Sequence, residues 1–363
     1  GFLAHAEELV GLLAAECGRP AGEAWTAGIW DTSDLEALIR IMLRNRDVLD
    51  GLEKGPARLA AWVLRWFDNR NANSKTGSRR NIAAHYDLGN EFFAAFLDSS
   101  MTYSCAVFED AELSLEAAQR AKLDRLCRKL ELGSEDHVLE IGTGWGSFAI
   151  HAAGNYGCRV TTTTISQRQF EEARRRVQVA GLEDRVEILL QDYRDLNGQF
   201  DKLASIEMIE AVGDNFLDTW FAACSSLLKP EGRMGIQAIT IADQHYASAL
   251  REVDFIKRYI FPGSFIPSVT RMMNAMTDST DLRLVHLEDF GPHYAETLRR
   301  WRSKLNAVEG ELLEQGHTAE FLRMWNYYLG YCAGGFEERF LGVSQLVFRK
   351  PLAETQPLLG SLA

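Results

Sequence analysis

The segment VLEIGTGWGSFAIHAA (138–153) constrains the fold more than any other part of the chain. An apolar run of strand type enters Gly142-Thr143-Gly144-Trp145-Gly146 and emerges as a helical pattern. Glycines there permit a tight turn and a close approach of the backbone to a ligand. A strand feeding a helix in this way is the first half of a βαβ unit. HVLEI (137–141), RVTTTT (159–164), VEILL (186–190), KLASIE (202–207) and RMGIQAITI (233–241) are all separated by helical patterns, which predicts a parallel sheet. LRLVHLE (282–288) and VSQLVFR (343–349) follow, split by a long helical stretch over 290–340. The expectation is a seven-stranded α/β sheet of Rossmann-like type. Ser114 is placed to cap a helix carrying Leu115, Leu123, Leu126 and Leu130.

Residues 1–80 differ in character and read as a small helical accessory domain, with 81–363 as the catalytic domain. Leu35, Leu38, Ile39 and Met42 keep helical spacing, and so do Leu59, Trp62, Val63 and Trp66. Within 65–80 the basic residues Arg65, Arg70, Lys75, Arg79 and Arg80 face only Asp68. This segment reads either as a solvated linker or as a contact for anionic lipid headgroups. The whole chain is acidic, with a formal charge of −12, which excludes an overall basic footprint for nucleic acid. No apolar run approaches the roughly 18 residues that span a bilayer, and no basic-then-apolar leader pattern opens the sequence. The scattered cysteines, without a CxxC pair, read as reduced thiols of a cytoplasmic protein. No metal-ligand spacing is visible among the histidines.

The glycine turn lacks the GxGxxG of a pyrophosphate cradle and the GK[ST] of a P-loop. With Glu140 leading Gly142, Gly144 and Gly146, it resembles motif I of class I S-adenosylmethionine (SAM) methyltransferases. Asp192 and Tyr193, after the third strand, suit an adenine: the acid accepts from the exocyclic amine and the ring covers the base. The second strand ends without an acid, so Thr164 and Gln169 are left to hold the ribose hydroxyls.

Beyond that turn, eight blocks in order resemble cyclopropane-fatty-acyl-phospholipid synthases and the related mycolic acid cyclopropane synthases. They are HYDLGNEFFAAFLD, MTYSCAVFED, EIGTGWGSFA, TTTTISQRQ, SIEMIEAVG, YIFPGSFIPS, FGPHYAETLRRW and MWNYYLGYCAGGFEER, spread over roughly residues 80–350. The resemblance implies a SAM-methyltransferase fold with inserted helices around an acyl tunnel. It implies that Tyr103, Ser104, Trp145 and the glycine turn contact SAM. It implies a bicarbonate ion acting as base, held by Cys105, Glu210, Gln237, Ile239 and Tyr294. It points to Cys332 as catalytic, although YYLGYCAGGF offers no basic partner at i±4 and a tunnel-lining role fits the thiol better. His85 and Asp87 read as ordering a loop over SAM.

Two positions depart from the family: Gln237 stands where a His is usual, and Ala211 where EHxG has its His. A Gln amide donates to an anion but does not titrate near neutrality.

The reaction so implied methylates the double bond of an unsaturated acyl chain of a membrane phospholipid. The carbocation formed needs a dry site, and aromatic faces stabilise it by roughly 0.5–2 kcal/mol each. Candidates are Tyr103, Phe108, Trp145, Phe261, Phe265, Tyr294, Trp325, Tyr327 and Tyr328. Deprotonation of the added methyl gives a cyclopropane; deprotonation of the neighbouring chain carbon leaves an unsaturated methyl branch, and a hydride shift before deprotonation gives a methylene branch. A catalytically silent SAM-binding lipid-surface module is the third reading. A homodimer, peripheral on the inner face of the membrane, is the expected assembly.

Overall fold

The computed structural model describes residues 21–45, Gly77 and 89–353. Among these, the strands are β1 (His137–Ile141), β2 (Arg159–Thr164), β3 (Val186–Leu190), β4 (Phe200–Ile206), β5 (Leu228–Ile241), β6 (Arg283–Asp289) and β7 (Leu341–Arg349). The helices are α1 (Ala21–Thr26), α2 (Leu35–Arg44), α3 (Asn90–Phe96), α4 (Leu115–Leu130), α5 (Ser147–Tyr156), α6 (Gln167–Val179), α7 (Leu217–Leu227), α8 (Asp243–Ala249), α9 (Val269–Ser279), α10 (Gly291–Ala307), α11 (Glu309–Glu314) and α12 (Ala319–Glu337).

One sheet runs in the order β3-β2-β1-β4-β5-β7-β6. The first five strands pair in parallel, and β7 is antiparallel to both β5 and β6. Every strand expected from the sequence is present. β5 starts at Leu228 rather than Arg233, because the chain pairs with β4 as soon as it leaves α7. The central strands are covered on both faces, so even Glu140 in β1 is buried. α4 begins where Ser114 Oγ accepts from Ala117 N and stops where Glu131 turns into the left-handed region.

Three cores follow from this layering. Leu126, Leu130, Phe148, Ala152 and Val160 fill one side of the sheet. Leu203, Trp220, Phe221, Met234, Met272 and Phe348 fill the other. The third is aromatic and joins α3, the 101–108 segment, α10 and α12. It meets the sheet where Trp145 leaves β1 and Val343 enters β7, at the carboxyl ends of the parallel strands.

The N-terminal helices pack onto α12. Gly330 and Gly334, one turn apart, leave a groove for α2. A Cβ at Gly330 would lie 2.9 Å from Leu35 Cδ2, and one at Gly334 2.8 Å from Ile39 Cγ2. Polar contacts frame the seam: Arg40 and Arg44 donate to Glu338, Arg299 to Glu36, and the Trp25 indole to the Arg323 carbonyl at 3.1 Å. The basic segment 65–80 apart from Gly77, the expected helix at Leu59–Trp66, and His85 and Asp87 lie outside the described residues. Among the described residues no helix is long and apolar enough to cross a membrane.

Gly334→Val should overfill the α2–α12 seam and lower stability by about 1–3 kcal/mol. Urea unfolding reads this directly; a midpoint equal to that of the unaltered protein would mean that α2 does not depend on this groove.

Candidate active site

The glycine turn is pinned below and open above. Gly142, Gly144 and Gly146 have φ of 101°, 52° and 87°, in the region that favours glycine. Gly142 N and Thr143 N both donate to the Thr163 carbonyl, at 3.0 and 3.1 Å. Thr143 Oγ1 meets Thr162 Oγ1 at 2.7 Å, and Thr162 donates to Glu140 at 2.6 Å. Burial pushes the Glu140 carboxyl up to about 8. Nothing lies within 4 Å of where a Cβ on Gly144 would stand, so the upper side of the turn is free for a ligand. Trp145 is buried beside it, its indole donating to Asn90 Oδ1 at 2.9 Å.

The other residues expected around SAM fall into two groups. Thr164 Oγ1 donates to Gln169 Oε1 at 2.9 Å, which turns the Gln169 amide hydrogens outward from that bond as donors. Asp192 is buried, and its carboxylate already accepts from the Arg194 backbone and guanidinium at 2.7–3.0 Å. Tyr193 is half-buried, with the Arg194 guanidinium 5.3 Å from its ring centre. Ser104 is buried and accepts from Lys122 Nζ at 2.6 Å. The residues present therefore fit SAM at the glycine turn and at Thr164–Gln169.

The site implied for bicarbonate holds protein carboxylates in this structure. Its donors converge as expected, but on a side chain of the protein. Glu207 Oε1 accepts from Cys105 N at 2.9 Å and from Gln237 Nε2 at 2.7 Å. Glu207 Oε2 accepts from the Tyr294 hydroxyl at 2.8 Å. Ile239 N, the remaining backbone donor, is taken by Glu210 Oε1 at 2.5 Å. With the cradle filled by two carboxylates, a bound bicarbonate does not fit, and no step is assigned to one.

The sequence motif points to Glu210, three residues later, and not to Glu207. The signal was available: an acid directly at the carboxyl end of a parallel strand stands where ligands bind in open α/β sheets. The Glu207 backbone is unusual as well. Its φ is 47°, in the left-handed region, which costs a residue with a Cβ about 1–2 kcal/mol.

A buried polar chain orients Gln237. Lys129 Nζ donates to Gln345 Oε1 at 2.8 Å, and Gln345 Nε2 donates to Gln237 Oε1 at 3.1 Å. Gln237 and Gln345 are register partners on β5 and β7, so their side chains share one face of the sheet. The lysine end of this chain fixes which way each amide faces, and Gln237 is left with its NH2 toward Glu207. Lys122 was also unforeseen. It sits on the apolar stripe of α4 with Leu115, Ala118 and Leu126, is fully buried, and is pushed down to about 8 by that burial. Its charge opposes those of Glu207 and Glu140.

Aromatic rings close the site. Tyr294 stacks on Phe336 at 4.5 Å and meets Trp301 at 6.1 Å. Tyr103 lies 5.3 Å from Trp301, and its hydroxyl is 3.1 Å from that of Tyr328. Phe261 and Trp325 join Tyr328 at 5.9 and 5.4 Å. Two of the aromatic candidates belong elsewhere: Phe265 packs in the sheet core with Met272, and Tyr327 packs with Trp25. Phe108 is turned to Arg300 and His293. Cys332 is half-buried against the aromatic core. Burial and then Asp254 push its thiol well above the usual range, as suits a lining residue and not a nucleophile.

A family model described as mycolic acid cyclopropane synthetase matches residues 73–346. The chain is 41% identical over 333 residues to tuberculostearic acid methyltransferase UfaA1 of Mycobacterium tuberculosis, covering 89% of this chain and 77% of that protein. It is 38% identical over 331 residues to the cyclopropane-fatty-acyl-phospholipid synthase of Escherichia coli, covering 91% and 82%. The mycolic acid cyclopropane synthase CmaA1, solved with SAH and CTAB, superposes with a TM-score of 0.70 at 29% identity, over 75% of this chain and 98% of that one.

Two outcomes follow from the geometry of the site. Cys332→Ala should keep turnover within about a factor of ten, or ~1.4 kcal/mol; a steady-state rate thousands of times lower would restore a chemical role to the thiol. Glu210 is pushed up to about 8 by burial and by neighbouring Glu207. A carboxyl raised in the folded state favours folding below its unfolded value, and that advantage fades as pH rises through about 8. Glu210→Gln should therefore gain stability relative to the unaltered protein between pH 5 and 8, by up to about 1.4 kcal/mol per pH unit. Denaturant titrations across that range measure it, and parallel curves would contradict it.

Proposed function

The chain belongs to the mycolic acid cyclopropane synthetase family and is a SAM-dependent methyltransferase, and on that premise we propose that it methylates the double bond of an unsaturated acyl chain of a membrane phospholipid and closes a cyclopropane. The observation that carries this reading is the aromatic wall formed by Tyr103, Tyr294, Phe261, Trp301, Phe336 and Tyr328 beside two buried acids. An alkene has no polar handle, so a pocket for it needs apolar walls and few donors.

SAM bound over the glycine turn supplies an electrophilic methyl group. The protein's own residues do the rest. The rings exclude water, which would otherwise quench a carbocation to an alcohol. Their faces attract the cation, by roughly 0.5–2 kcal/mol each. Tyr294 is held by its hydrogen bond to Glu207, so its ring cannot swing out of the wall. A basic stretch at 65–80 supplies a contact for anionic headgroups, each cation adding about 1 kcal/mol near such a surface.

A second reading has a specific observation behind it. The acid here is a side chain tied to the end of β4, and the chain is more identical to a tuberculostearic acid methyltransferase than to the E. coli cyclopropane synthase. A tethered base reaches fewer positions along the acyl chain than a free one; loss of a chain proton leaves an unsaturated methyl branch, and a hydride shift before deprotonation gives a methylene branch.

The purified protein, given SAM and phospholipid vesicles with monounsaturated chains, is expected to add one CH2 unit to the lipid, read by mass spectrometry. Gas chromatography of the released acyl chains then separates ring from branch. No gain on any unsaturated phospholipid would overturn the reading.

A further inference from the structure

The geometry points to Glu207 as the resident proton acceptor of this enzyme, a protein carboxylate standing where the family resemblance implies a bicarbonate ion. This rests on the acyl-methylation reading above and names the base within it.

Three observations converge on the assignment. First, the donors that would hold a free anion are spent on this side chain: Cys105 N, Gln237 Nε2 and Tyr294 Oη, at 2.9, 2.7 and 2.8 Å. Hydrogen bonds to a carboxylate favour its charged, proton-accepting form. Secondly, the backbone at Glu207 has φ 47°, a conformation that glycine adopts freely and other residues rarely do. A side chain is retained at a strained position when its atoms are used. Thirdly, Glu207 borders the aromatic wall, because Tyr294 both donates to it and stacks on Phe336 at 4.5 Å. The positive charge on the acyl chain and the group that relieves it are thus on adjoining walls.

The step balances within the site. A C–H bond of the added methyl, which sits on the carbon beside the cationic one, breaks, and its electron pair forms the ring-closing bond to the cationic carbon. An O–H bond forms on Glu207, so a cation and a carboxylate become a neutral product and a neutral acid. The acid returns its proton to water after the product leaves. Lys122, buried nearby and opposing the charge of Glu207, favours return to the carboxylate. Glu210 Oε2 is buried without a hydrogen-bond partner and presents a second acid in the same site, but Glu210 lacks the three-donor cradle.

The test uses the full chain as unaltered protein, Glu207→Gln and Glu207→Gly. Glycine is relaxed at this φ, so Glu207→Gly is expected to fold, and SAM titration calorimetry checks all three proteins. In buffer stripped of CO2 the unaltered protein should turn over within twofold of its rate with added bicarbonate. Glu207→Gln should fall by about 100-fold or more with SAM affinity kept. Glu207→Gly should fall equally and regain activity when bicarbonate is added. A readout free of turnover accompanies these: 13C-bicarbonate should show exchange broadening with Glu207→Gly and none with the unaltered protein. Bicarbonate-dependent turnover of the unaltered protein, full activity of Glu207→Gln, or broadening with the unaltered protein would each overturn the proposal. If no protein methylates any lipid, the acyl-methylation reading fails, while the 13C measurement still decides whether Glu207 fills the anion cradle.

Discussion

A carboxylate at the buried end of a parallel strand is tolerable only when donors meet it, and the architecture around Glu207 is organised to supply them. Desolvating an ion costs several kcal/mol even after relaxation. The backbone of the 101–108 segment, a strand side chain on β5 and a helix side chain on α10 each bring one donor to Glu207. Three elements far apart in the sequence are thereby fixed at one point. The aromatic core then packs around that point, since α10 carries Tyr294 and Trp301 into it.

The same demand explains the buried cations. Glu140, Glu207 and Glu210 crowd the carboxyl ends of β1 and β4, and burial raises all three carboxyls. Lys122 and Lys129 enter from α4. Lys122 acts directly on the field of the acids. Lys129 acts through two glutamines, orienting amides that would otherwise be free to flip. A network of this kind is worth holding only if complete, because any member left unpaired in a low-dielectric interior is costly. It also gives Gln237 a reason: an amide that donates to Glu207 and accepts from Gln345 uses both of its ends, and it does so at every pH.

Charge at the floor and aromatic rings at the walls divide the labour of the site. In the proposed reaction the rings favour a cation and exclude water, and the acids receive the proton that it sheds. The N-terminal helices reinforce this arrangement from behind, since α12 bears Trp325, Tyr328 and Cys332 on its inner side and the α2 groove of Gly330 and Gly334 on its outer side.

The sequence by itself determined the seven strands, the glycine turn, the cap at Ser114 and the family, because these rest on local periodicity and on motifs read in order. Through the family resemblance it also brought Cys105, Glu210, Gln237, Ile239 and Tyr294 into one proposed anion site. It could not say what those donors hold. That depended on Glu207 and Glu210 flanking a turn beyond β4, on Gln237 facing Gln345 across the β5–β7 register, and on Arg194 folding back onto Asp192. Each is a contact between side chains set by strand pairing or chain reversal, and hydrogen-bond partners of that kind leave no periodic mark in a chain. The tertiary structure alone shows that Cys105, Gln237 and Tyr294 donate to Glu207.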